Sequence, residues 1–163
     1  MKKPFHQEIL DSKGLLYRLA LQILHNQQDA EDAVSGFYLK VLEKKNQFSK
    51  YDNLKGALIR SMKNHCINLL KLKKRFHSLE EVPAELSSRT HEPILDDERL
   101  ILVQKIINKL PEKQKIMIHL RMVEGYTMMQ IAEIMEEKVN TVEVSISRAR
   151  KKIRAEYEKR RAK

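Results

Sequence analysis

The chain has 163 residues, 42% of them apolar, with four glycines, four prolines and no tryptophan. That composition suits helices better than strands and leaves room for one ordinary domain or two small ones. The net charge of +10 favours a polyanionic partner, and a single cysteine, Cys66, excludes an internal disulfide framework or a thiolate zinc site.

The first module, residues 5–76, carries three helical patterns. Ile9, Leu10, Leu15, Leu16, Leu19, Ile23 and Leu24 mark the first helix, which Gly14 is placed to split. After a turn through His25–Gln28, Asp29 is expected to open a second helix with Ala30, Ala33, Val34, Phe37 and Val41 inward. Glu31 and Asp32 fall in its first turn, where the helix dipole favours anions. Lys45–Asn53 is polar, has two aromatics and lacks periodicity, so it reads as a loop. A third helix follows from about Asn53, with Leu58, Met62, Cys66, Leu69 and Leu70 at core spacing and Arg60, Lys63, Lys71, Lys73, Lys74 and Arg75 mostly outside. Exposed rings beside cations suit single-stranded nucleic acid, because an unstacked base can lie on a ring while the cations hold its phosphates. Phe48 or Tyr51 can instead staple the loop onto the helices, and one of the two is expected to do so.

Residues 77–97 lose the pattern and read as a flexible linker containing two prolines. Charge divides at the same places. It is +7 over residues 1–80 (15 basic, 8 acidic), −4 over 81–99 (2 basic, 6 acidic) and +7 over 100–163 (15 basic, 8 acidic).

In the second module, residues 98–160, Leu100, Val103, Ile107 and Leu110 mark a helix, and Pro111 is expected to start the next, running to about Glu124. Gly125 breaks it. Thr127 and Gln130 form a capping box that opens a short helix with Ile131, Ala132, Ile134 and Met135 inward. A second helix follows Lys138, with Val142, Ile146, Ala149 and Ile153 in one stripe and Glu143, Val144, Ser145, Ser147, Arg148, Arg150 and Lys151 off it. A helix-turn-helix with a polar, basic outer face is what reading of the major groove requires.

The runs Leu15–Ala20 and Asp29–Val34, the basic helix bearing Asn64, Leu110–Gln114 and Ser147–Arg150, in this order, resemble the extracytoplasmic-function sigma factors of bacterial RNA polymerase, within the sigma-70 family. The resemblance implies an all-α fold of two small helical domains, a region 2 bundle and a region 4 helix-turn-helix. It implies a non-enzymatic subunit, without cofactor or metal, that binds core RNA polymerase and promoter DNA, both single- and double-stranded, and that can be held by an anti-sigma factor. Asp29, Glu31, Asp32, Tyr38 and Glu43 would then face core polymerase. Phe48, Tyr51, Asn53, Arg60, Lys63 and Asn64 would recognise and open the downstream promoter element. Thr141 and the off-stripe residues of the last helix would read the upstream element.

Glu143 and Ser145 stand where the family often carries basic residues, so Glu143 either accepts a hydrogen bond from cytosine or faces away from the groove. Glu136 occupies the usual turn glycine, at a cost of about 1 kcal/mol if the backbone is left-handed there. No apolar run is long enough to cross a bilayer and Met1-Lys2-Lys3-Pro4 does not open a signal sequence, so no membrane insertion and a bacterial cytoplasmic location are expected. The alternative is a conventional helix-turn-helix regulator that binds duplex without replacing the sigma subunit. Clustered carboxylates and nucleophile–base pairs are missing from the sequence, which argues against an enzyme.

Overall fold

The computed structural model describes residues 2–79 and 97–163, which fall into two compact units, all helical among the described residues. The first holds α1 (Phe5–Leu24), α2 (Gln27–Glu43), α3 (Lys45–Phe48) and α4 (Leu54–Leu79). Helix α1 runs unbroken through Gly14 and ends where His25 turns left-handed at φ 55°, its N–H donating to Leu21 O. Leu10, expected inward, is 65% exposed, because the apolar stripe runs through Ile9, Leu16, Leu19 and Ile23 instead. Helix α2 begins two residues before Asp29, since Asn26 is the cap, and its Oδ1 accepts the Asp29 N–H at 2.9 Å.

Helix α1 packs on both α2 and α4, around Leu16, Leu19, Ile23, Val41, Leu58, Ile59 and Met62, all fully buried. Each of these larger side chains contributes about 1.5–3 kcal/mol by leaving water. Because α4 has helices on two sides, its buried sector is wider than one stripe, and it takes in Lys63 as well as Cys66. Burial pushes the Cys66 thiol up to about 12. Helix α4 continues to Leu79, three residues beyond the expected end of the module. The rest of the expected linker, residues 80–96, lies outside the described residues.

The second unit holds α5 (Glu98–Ile107), α6 (Glu112–Ile118), α7 (Met128–Met135) and α8 (Val139–Arg161). Asp97 caps α5 through the Arg99 N–H, 2.9 Å away. Pro111 stands one residue ahead of α6 rather than inside it. The helix expected to reach Glu124 is α-helical only to Ile118. From His119 to Val123 it widens into a π-turn in which the Glu124 N–H donates to His119 O at 3.2 Å. This brings His119 Nε2 to 3.3 Å from Glu124 Oε1, both side chains buried. Helices α5, α6 and α7 all pack on α8, around Ile116, Met117, Leu120, Ile131 and Ile146.

Candidate nucleic-acid interface

The helix-turn-helix is built from local signals. Thr127 Oγ1 accepts the Gln130 N–H at 3.2 Å while Gln130 Oε1 accepts the Thr127 N–H at 2.9 Å, a closed capping box that fixes the start of α7. Glu136 then turns left-handed at φ 56°, ψ 42°, and the Glu137 N–H donates to Ala132 O at 3.0 Å, which satisfies a carbonyl at the helix end. Lys138 precedes α8 without a side-chain cap, and Lys113 holds the turn through Glu137 at 2.6 Å.

In α8, Val142, Ile146 and Ala149 are buried, and the off-stripe residues are exposed except for half-buried Ser145. They divide by helical position. At 100° per residue, Val144 and Lys151 point most directly away from the core, Thr141, Ser145 and Arg148 lie on one shoulder, and Glu143, Ser147 and Arg150 on the other. Glu143 is about 140° around the helix from Arg148. The first shoulder opens on a cleft of about 300 Å³ that also includes Gln114 and Asn140. Neither was expected at this face: Gln114 belongs to a different helix, and only the packing of α6 on α8 brings it to the recognition face.

In the first unit the expected loop is partly helical. Phe48 ends α3 and is only 8% exposed, so of the two rings it is the one that staples the loop rather than offering a stacking surface. The ring fills the space beneath the loop and meets Tyr51 at 6.0 Å between centroids. Lys63 is likewise inward, at 5% exposure. Tyr51 stays 39% exposed, with the Arg60 guanidinium 5.9 Å from its centroid. Asn64 is exposed one turn beyond Arg60 on the same side of α4. The Asn53 side chain is used structurally, its Oδ1 accepting the Gly56 N–H at 2.9 Å to cap α4. A Cβ on Gly56 would come within 2.5 Å of that amide. Tyr51 also lines a cleft of about 430 Å³ with Lys3, Phe5, Asp11 and Lys55 that the sequence did not reveal.

Along α2 the five expected contact residues do not share one face. The Asp29 carboxylate meets Lys73 of α4 at 2.6 Å, and the Tyr38 hydroxyl donates to Ile9 O at 3.2 Å, its burial raising the phenol above its usual range. Glu31, Asp32 and Glu43 are exposed within one sector of about 120°, with Asp32 and Glu43 nearly in line along the helix. Between them Leu39 and Leu42 stand 64% and 49% exposed, and both were readable as outward because they fall off the inner stripe.

Residues 9–76 match the Sigma-70 region 2 family and residues 100–153 the Sigma-70, region 4 family. The chain belongs to the sigma-70 family. Within its sigma-factor relatives it is 29% identical to "RNA polymerase sigma factor SigV" of Bacillus subtilis, over 93% of this chain and 89% of that one. It is 24% identical to "ECF RNA polymerase sigma factor SigW" of the same organism, over 87% of this chain and 82% of that one. The fold of this sigma factor is also that of the Bartonella quintana sigma factor RpoE, solved in complex with the anti-sigma factor NepR. The TM-score is 0.80 at 24% identity, over 94% of this chain and 96% of that one. Among the described residues of the sigma factor no helix is long and apolar enough to cross a membrane.

Proposed function

We propose a residue-level division of labour for this sigma factor of the extracytoplasmic-function type, which binds core RNA polymerase and directs promoter-specific initiation as a non-enzymatic subunit. The observation that carries it is the pairing of two unlike nucleic-acid surfaces on one chain: a basic recognition helix suited to duplex, and an exposed ring with a cation and an amide suited to an unpaired base.

In this reading residues 98–160 bind the upstream element as duplex. Thr141, Val144, Ser145 and Arg148 meet the groove, and Ser147, Arg150 and Lys151 hold the flanking backbone. Glu143 sits on the shoulder away from Arg148, which favours a position at the groove's edge over direct reading of cytosine. Residues 5–76 dock on core polymerase and hold the opened downstream element. Tyr51 supplies the stacking surface, Arg60 the charge and Asn64 the base-edge hydrogen bonds, while Phe48, Asn53 and Lys63 shape the loop and helix behind them. The docking face on α2 is centred on Leu39 and Leu42, ringed by Glu31, Asp32 and Glu43. Exposed apolar side chains supply affinity there and rim carboxylates supply orientation.

We place the protein in the bacterial cytoplasm, where polymerase works, and assign it an anti-sigma factor as a further partner by analogy with the RpoE–NepR complex. Run-off transcription with purified core polymerase tests the reading. Transcripts from a chain-dependent promoter are expected only when this protein is added, with weak duplex binding by the free chain. Tight duplex binding without polymerase and no gain in transcription would support the free-standing regulator instead.

A further inference from the structure

Val144 departs from the chemistry of the surface that carries it. On α8, Val139 and Val144 are the two large apolar side chains left exposed, at 38% and 40%. Val139 is the first residue of the helix, at the edge of its buried stripe. Val144 lies on the opposite side, about 200° around from buried Val142 and Ile146. Its neighbours on that face are Thr141, one turn before it, and Arg148, one turn after it, both exposed. All three line the cleft that Gln114 closes on the far side.

A branched apolar side chain at this place discriminates by what it lacks. It offers no donor and no acceptor, so a base edge pressed against it keeps none of its hydrogen bonds to water and gains none in return. Of the four base edges in the major groove, thymine alone carries an apolar group, the C5 methyl. We propose that Val144 is a specificity-determining residue that selects thymine in the upstream element by packing its methyl groups on the thymine C5 methyl. The inference rests on the reading of α8 as the recognition helix. Val144 and Arg148 are about 6 Å apart along the helix axis at 1.5 Å per residue. The selected thymine therefore lies within about two base-pair steps of the base or phosphate that Arg148 holds, at 3.4 Å per step. Glu143 is 100° away around the helix and does not face the same base.

The test compares thymine with uracil, which differ only by that methyl. Duplex pools randomised across the promoter are synthesised with thymidine or with deoxyuridine throughout and selected by binding to core polymerase carrying the full chain. One upstream position should enrich thymine by about four-fold, the factor one buried methyl supports, and the enrichment should vanish in the uracil pool. Val144→Ser, on an exposed site, replaces the apolar branches by a hydroxyl and should abolish that preference in the thymine pool while leaving the other upstream positions unchanged. Equal enrichment of thymine and uracil, or an unchanged thymine preference in Val144→Ser, overturns the inference. A pool with no preference at any upstream position overturns the recognition-helix reading itself, a result distinguishable from the loss of a single position.

Discussion

Asp29 in the first turn of α2 and Lys73 near the end of α4 meet at 2.6 Å, tying together two helices that Lys40 and His65 also link at 3.4 Å. Both side chains remain about 40% exposed, so solvent screens the pair and its loss costs well under about 1 kcal/mol. Asp29→Asn should therefore leave urea denaturation almost unmoved and reduce core-polymerase pull-down less than Leu39→Ala plus Leu42→Ala does. A larger loss of polymerase binding from Asp29→Asn would place that carboxylate in the docking interface after all.

Phe48 and Tyr51 touch, yet their substitutions should part ways. Removing the buried Phe48 ring leaves a cavity and should destabilise the first unit by about 3 kcal/mol, read by urea denaturation followed through helical circular dichroism. Tyr51→Ala should change stability little and lower promoter opening about ten-fold, read by permanganate reactivity of unpaired thymines, because stacking of one base is worth about 1–3 kcal/mol. Equal melting by Tyr51→Ala and the native chain would remove Tyr51 from the base-capturing surface.

Arg148→Ala should weaken upstream-element binding by about ten-fold or more if the guanidinium reads a guanine edge. It should lower the salt dependence by about one charge if it holds a phosphate. Pull-down of core polymerase should be unaffected in both cases. Measuring affinity over a range of potassium chloride concentrations separates the two roles, and loss of polymerase binding would contradict the assignment of α8 to DNA.

Thr127→Ala opens the capping box and should cost about 1 kcal/mol in the second unit, with Thr127→Ser largely restoring it. Hydrogen exchange at the Gln130 amide, which now donates to the threonine hydroxyl, reports the change directly. Unaltered protection there would mean that packing on α8 holds α7 without the cap.

His65 and Cys66, adjacent on α4, should bend the stability profile at opposite ends of the pH scale. Burial, and secondarily Lys40, lowers the His65 pKa below its usual 6.5. The unfolded chain then takes up the proton first, and stability is lost as pH falls below 6.5. The Cys66 thiol, raised by burial from 9.0 to about 12, stays protonated in the fold while the unfolded thiol ionises, so stability is lost as pH rises above 9.0. His65→Gln should flatten the acid limb and Cys66→Ser the alkaline one in denaturation at graded pH. Iodoacetamide at pH 8 should label Cys66 only in the unfolded chain.

Where sequence and structure agree, the reason is that the signal is local. The Thr127–Gln130 box and the stripe through Val142, Ile146 and Ala149 are decided within a few residues and stand as read, although Ile153 at the end of that stripe is only half-buried. What escaped the sequence depends on neighbours distant along the chain. Lys63 turns inward because α4 packs on both α1 and α2, and Gln114 reaches the recognition face through the packing of α6 on α8. The start of α2 was missed for a subtler reason: Asn26 and Asp29 are both good caps, and only the hydrogen bond actually made, from the Asp29 N–H to Asn26, chooses between them.

The π-turn at His119–Val123 has a bearing on how this region tolerates changes in length. A wide turn holds one residue more than the α-helical turn it replaces. Deleting a residue such as exposed Met122 can thus be absorbed by reversion to ordinary α-helix, leaving Gly125 and everything beyond it in register. The same deletion inside α8 would rotate all later side chains by about 100° and carry Arg148 off its face. The bulge is a slack point in the chain, at which single-residue gaps can accumulate between related proteins while the reading head downstream keeps its aim.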